Sequence, residues 1–207
     1  HLQYDLTLSQ LASPVLPSVP TIHPPMHGWM ADRMGDPTAK DAGRLTLNPI
    51  PHIDPLGSIL IPLLLVFSGS SLVFGWAKPV PYNPYNLRDQ KFGSAKVALA
   101  GPLANLITAL FFGLVLRFAP LEGVPYVAGL LQLIVFINLL LMVFNLVPIP
   151  PLDGSKVIMP FLPYNLQVRF ANLERYGMFI VIIFLMFGFS FIYPIINFLF
   201  RLITGIS

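Results

Sequence analysis

Two histidines in the first part of the 207-residue chain have a spacing that suits a metal ion. His23 and His27 are four residues apart. On a helix this spacing puts both imidazoles on one face, about 6 Å apart along the axis. They could converge on a divalent cation, although such a pair alone more often lines a polar seam. Because the chain has no cysteine, any metal must be held by His, Asp or Glu.

A second candidate is Asp153, which follows a proline-rich stretch and precedes Gly154 in Asn145-Leu-Val-Pro-Ile-Pro-Pro-Leu-Asp-Gly. A carboxylate beside an apolar segment is costly to bury without a partner and is therefore a functional candidate. Alternatively, Asp153 caps the next helix and Gly154 supplies a turn.

A third feature is Gly101-Pro102-Leu-Ala-Asn105, which places small residues, a proline and one amide inside an apolar stretch. Its simplest interpretation is close helix packing with a hydrogen-bonded asparagine.

The composition indicates the elements that must position these residues. Hydrophobic residues make up 55% of the chain and charged residues only 10%, against about 25% charged in soluble domains. We therefore predict an all-α fold, a polytopic transmembrane helical bundle in one domain over residues 1–207. The net charge of +3 favours contact with lipid headgroups rather than nucleic acid. The predicted spans are Ser58–Trp76, Val97–Phe118, Pro125–Val147 and Gly177–Ile203.

The connections are expected to be less regular. Residues 6–31 contain five prolines, each costing about 3 kcal/mol inside a helix, so we predict an irregular first segment. The stretch Arg44–Gly57 is predicted to form a short strand followed by turns. Pro194 predicts a kink or an interfacial final turn in the last span. Because the chain begins at His1, we expect a fragment or a processed form.

Together the three motifs resemble the site-2 protease family of intramembrane zinc metalloproteases, peptidase family M50. The resemblance covers residues 23–160, and Leu152-Asp153-Gly154 with its upstream prolines is its most specific part. It implies a Zn²⁺ ion held by His23, His27 and Asp153, with the fourth position open to water.

The same resemblance implies the activity and the partners. The family cleaves transmembrane segments of other proteins, so the expected partners are transmembrane protein substrates and the lipid bilayer, in a multi-pass protein of the cell membrane. Asn105 and Asn145 match positions that help to bind substrate or steady the site. The stretch from Arg44 to Gly57 matches a membrane-associated β-hairpin, in which His52 and Asp54 would be structural or would face substrate.

The chain departs from the family pattern at one position. The family signature is His-Glu-x-x-His, in which the glutamate takes a proton from metal-bound water, and here that position is Pro24. Three hypotheses follow: a protease with altered N-terminal residues, a pseudoprotease that binds zinc or membrane substrates, and a transporter or channel with a polar pathway. Zinc binding could survive the change if His23 begins a helix with the two prolines in its first turn.

Overall fold

A computed structural model describes residues 23–46, 48, 50–52, 54–60, 63–64, 67, 78–121 and 123–206 of the chain. The described part is helical. Its α-helices are α1 (His23–Arg33), α2 (Thr38–Asp41), α3 (Gly93–Phe118), α4 (Pro125–Asn145), α5 (Asp153–Ile158), α6 (Tyr164–Glu174), α7 (Gly177–Phe187) and α8 (Phe189–Thr204).

Helices α3 and α4 coincide with two of the predicted spans. Both are long and apolar enough to cross a membrane, and α7 with α8 adds a third crossing if this bent pair is one span. The chain is therefore a membrane protein. The predicted span Ser58–Trp76 lies largely outside the described residues.

The two sides of α3 differ in polarity and in burial. Val97 and Asn105 are buried on one side, whereas Leu103, Ile107 and Phe111 are at least half exposed on the other. An exposed apolar stripe on a spanning helix is expected to contact lipid tails. The buried side is left to face the rest of the protein.

The largest buried cluster joins α3, α4 and α8. Helix α8 packs three isoleucines against side chains of the two long spans. This packing fixes α3 against α4. The buried members are Ala109, Val135, Leu139, Met142, Ile192, Ile196 and Ile203.

The last predicted span is broken, but not where the sequence predicted. The segments Gly177–Leu185 and Ser190–Thr204 meet at an angle of 70°, and the break falls at Gly188, whereas Pro194 lies inside α8. A Cβ atom on Gly188 would stand 2.3 Å from the ring of Phe184. A side chain at position 188 would therefore have to displace the Phe184 ring.

The predicted β-hairpin is not seen in the described residues of the segment after α2. Helical turns lie there instead, over Ile50–His52 and Pro55–Leu60. Prolines recur in this segment, and proline has no backbone N–H to donate to the hydrogen-bond ladder of a strand. This explains why helical turns form in place of the predicted hairpin. His52 is buried, its ring lies 3.1 Å from the Thr46 carbonyl, and its own carbonyl accepts from the Lys78 N–H.

The irregular first segment ends earlier than predicted, because α1 is helical from His23 onward. Residues 6–22 of that prediction lie outside the described part of the chain.

A buried carboxylate connects the loop after α1 to the loop before α3. Asp36 is fully buried and accepts hydrogen bonds from the Thr38 hydroxyl at 2.6 Å, the Asn83 N–H at 2.6 Å and the Asn86 amide at 2.9 Å. Burial raises the pKa of Asp36, but these bonds outweigh burial and hold its pKa below the usual range. The carboxylate therefore stabilises the fold in its charged form.

We expect Asp36→Asn to destabilise the protein. Both carboxylate oxygens accept hydrogen bonds, so either orientation of the asparagine amide would place its NH2 group against a hydrogen-bond donor. Removing such a bond from a buried group costs about 1–3 kcal/mol, which lowers the midpoint of thermal unfolding in detergent by several degrees. The stabilising effect of Asp36 is present above its unfolded-state pKa, near 3.9, and is lost as pH falls through its lower folded value. Circular dichroism against temperature and pH measures both effects.

Asp41→Asn is the matched control, because Asp41 is exposed in the short helix nearby. Equal midpoints for the two variants would contradict a stabilising role for the buried carboxylate.

Candidate metal centre

Helix α1 presents the two histidines from its first two turns. His23 is its first residue, so Pro24 and Pro25 stand where a helix has no partner for a backbone N–H, and their fixed φ suits this position. His27 follows one turn later. The two imidazole rings have centroids 4.7 Å apart and planes at 82°.

Asp153 reaches the same point from the other end of the sequence. It is the first residue of α5, and the residue that caps this helix is Leu152, with no side-chain capping bond. The capping interpretation of Asp153 is therefore wrong. A Cβ on Gly154 would lie 2.2 Å from the Leu146 carbonyl oxygen, so only glycine lets the start of α5 lie against the end of α4.

The three side chains converge at their ligand atoms. The Nε2 atoms of His23 and His27 are 3.1 Å apart, and Asp153 Oδ2 lies 3.1 Å from the first and 3.3 Å from the second. This oxygen is buried and has no hydrogen-bond partner among the described residues. Three ligand atoms that share one metal ion would be spaced in this way.

The spacing of these three atoms fits a tetrahedral metal ion. At zinc–ligand distances of about 2.0–2.1 Å, the ligands of a regular tetrahedron are about 3.3–3.4 Å apart. Two imidazoles and one carboxylate are also a donor set that zinc uses in catalytic sites, where a fourth position stays open. The three side chains keep 13–16% of their surface accessible, so a small molecule can approach the fourth position.

Helix α3 forms the wall behind the imidazoles with residues spaced by four. The Nδ1–H of His27 donates to the Val97 carbonyl at 2.8 Å, and Asn105 Nδ2 lies 3.0 Å from His23 Nδ1. Between them, a Cβ on Gly101 would stand 2.5 Å from His27 Nε2 and 2.7 Å from His23 Cε1. The helix can approach both rings only because position 101 has no side chain.

The other residues predicted for the site are less closely associated with this group. Asn145 ends α4 and donates its amide to the Leu141 carbonyl at 2.9 Å, within its own helix. Asp54 accepts from the Leu56 N–H at 3.1 Å in a local turn. Among the described residues, the group that could hold a metal ion contains His23, His27 and Asp153. Their role as ligands and that of Asn145 toward substrate stay predictions.

Two participants were missed in the sequence. The Val97 carbonyl is a backbone group that no side-chain pattern reveals. Gly101 was interpreted as a helix-packing residue, and its distance of four residues from Asn105 was the available signal that both face one partner.

Comparison with known proteins agrees with this geometry. A Bacillus subtilis (strain 168) protein named "Putative zinc metalloprotease YwhC" is 39% identical over an alignment of 188 residues that covers 86% of this chain and 81% of that protein. Residues 122–188 match the sequence model of peptidase family M50. The chain belongs to peptidase family M50.

A further relative supports the assignment to family M50. A Mycolicibacterium smegmatis (strain ATCC 700084 / mc(2)155) protein named "Putative zinc metalloprotease Rip2" is 32% identical over 160 residues, which are 77% of this chain and 60% of that protein. No solved structure matches the chain. The match to residues 122–188 includes Asp153, whereas both histidines lie outside it. None of these comparisons supports a transporter or channel.

We expect Gly101→Ala to weaken metal binding, because the added methyl group would displace the imidazoles of His23 and His27. The affinity for Zn²⁺ should fall at least about tenfold, as it does when groups that orient a ligand are disturbed. Gly129→Ala is the matched control, since a Cβ at that helical position meets nothing within 4 Å. Titration of the purified protein against a zinc-selective chelator measures both variants, and equal affinities would show that Gly101 does not limit the site.

Proposed function

We propose that this chain is a multi-pass zinc metalloendopeptidase of the cell membrane that hydrolyses peptide bonds within or near transmembrane segments of other proteins. The observation that carries the proposal is the convergence of two imidazole nitrogens and one carboxylate oxygen at 3.1–3.3 Å. Membership of family M50 and the names of the relatives agree with it.

The proposed ligands are His23, His27 and Asp153. A bound zinc ion supplies a Lewis acid that polarises a peptide carbonyl and lowers the pKa of water. The three side chains contribute one negative charge when both imidazoles are neutral, so they leave a divalent cation with net positive charge. The Val97 carbonyl keeps the proton of His27 on Nδ1 and leaves Nε2 free for the metal.

The depth of the group supports a substrate inside the bilayer. Gly101 and Asn105 lie about 6 and 12 Å along α3 from Val97, at 1.5 Å per residue. These positions belong to the apolar part of a spanning helix. We therefore expect the cleaved peptide bond to lie in a segment within or near the membrane. That segment should be locally unwound, because helical carbonyls are already hydrogen-bonded.

Pro24 is expected to limit the rate of peptide hydrolysis. A glutamate at this position would take a proton from the attacking water, and proline has no group that can do so. Among the described residues, the group that could hold a metal contains His23, His27 and Asp153. All three are proposed ligands, so none of them can also serve as the base. We expect zinc binding to be intact and hydrolysis to be slow.

Zinc content measured in detergent tests the metal site. We expect about one zinc per chain, and we expect His27→Ala and Asp153→Ala each to abolish it, since two remaining ligands bind poorly. Loss in only one variant, or no zinc in the parent chain, would contradict the proposed ligand set.

Cleavage of a model transmembrane substrate by Pro24→Glu tests the enzymatic function. A restored general base should raise the rate about 10²–10⁴-fold, and the acid suits the first turn of a helix. Pro25→Glu is the control, because it adds the same charge one residue further along the helix and should give no such gain. A Pro24→Glu protein that binds zinc and shows no cleavage would argue against a peptidase.

A further inference from the structure

Asn105 makes an unusual contact with a histidine of the metal group. Its side chain is fully buried in the middle of α3. The amide nitrogen lies 3.0 Å from His23 Nδ1, while the amide oxygen is buried with no hydrogen-bond partner among the described residues. An unpartnered oxygen in an apolar span is destabilising, so this arrangement of the amide is not the most stable one for a metal-loaded site.

The two imidazoles of the group need the same proton arrangement. A histidine that offers the Nε2 lone pair to a metal carries its proton on Nδ1, and this N–H requires an acceptor. His27 has the Val97 carbonyl for this purpose. His23 faces the amide nitrogen of Asn105, which is a donor and cannot accept that proton.

Rotation of the amide by 180° resolves both mismatches. The oxygen then stands where the nitrogen was, about 3 Å from His23 Nδ1, and accepts its proton. The buried oxygen gains a partner in the same movement. The backbone carbonyl of Gly101 also interacts with His23 and is the competing acceptor.

We propose that Asn105 is a positioning residue for the metal centre, whose amide oxygen accepts the Nδ1–H of His23 and thereby directs Nε2 toward the metal. This inference rests on the proposed function, because it requires His23 to be a ligand. Of the two roles expected from the sequence, substrate binding and support of the site, it assigns Asn105 the second and names the atom that provides it. Helix α3 then orients both imidazoles, one through a backbone oxygen and one through a side-chain oxygen two turns later.

Binding of Co²⁺ and Zn²⁺ to the full chain in detergent tests the inference without any cleavage assay. Asn105→Leu keeps the volume of the side chain and removes the acceptor, whereas Asn105→Asp offers an oxygen in either orientation. We expect Asn105→Leu to weaken the affinity for both metals about 10–100-fold and Asn105→Asp to stay within about threefold of the parent. The visible absorption spectrum of bound Co²⁺ should change in the leucine variant and be retained in the aspartate variant.

Asn138→Leu is the matched control. Asn138 is also fully buried in a span, and it donates to the Ile134 carbonyl of its own helix, so its replacement should leave metal affinity unchanged. Parent-like affinity in Asn105→Leu would overturn the inference and assign the proton of His23 to the Gly101 carbonyl.

Equal losses in Asn105→Leu and Asn105→Asp would overturn it as well, because an acceptor would then not be what the site requires. Failure of the parent and of Asn138→Leu to bind either metal would overturn the proposed function together with this inference. Metal binding by the parent with no effect at Asn105 would overturn the inference alone.

Discussion

The close approach of α1 to α3 at Gly101 is the contact on which the metal group depends. Because a Cβ there would stand 2.5 Å from His27 Nε2, the absence of a side chain sets how near the imidazoles can come to the helix. At that separation the Val97 carbonyl reaches one ring and Asn105 reaches the other. A larger residue would separate the ligands from the groups that orient them.

A polar cluster among apolar helices is stable only if its members find partners there, since the bilayer supplies none. Helix α3 supplies partners on its buried side and leaves its other, apolar side exposed. The Leu146–Leu152 segment then returns the chain so that Asp153 faces the histidines, and Gly154 permits that return beneath the Leu146 carbonyl. The apolar cluster of α3, α4 and α8 holds these helices in fixed positions relative to one another.

The proposed function separates metal binding from proton transfer in this chain. The ligand geometry tolerates prolines after His23, because helix α1 begins there and its first turn needs no backbone N–H donors. Proton transfer does not tolerate Pro24, because its ring has no titratable group. A site can therefore keep the arrangement that holds a metal while lacking the group that accelerates hydrolysis.

The sequence by itself determined the membrane class, the spans now seen as α3 and α4, and the residues that meet at the centre. These follow from long apolar runs and from local spacing, which act within one segment. Tertiary structure decided what depends on distant segments: the bend at Gly188 rather than Pro194, helical turns in place of a hairpin, and a side chain of Asp153 that faces histidines instead of capping its helix. It also decided that a backbone carbonyl and an amide stand behind the two imidazoles. No spacing within a single segment specifies such contacts, because they join atoms 70 and 82 residues apart.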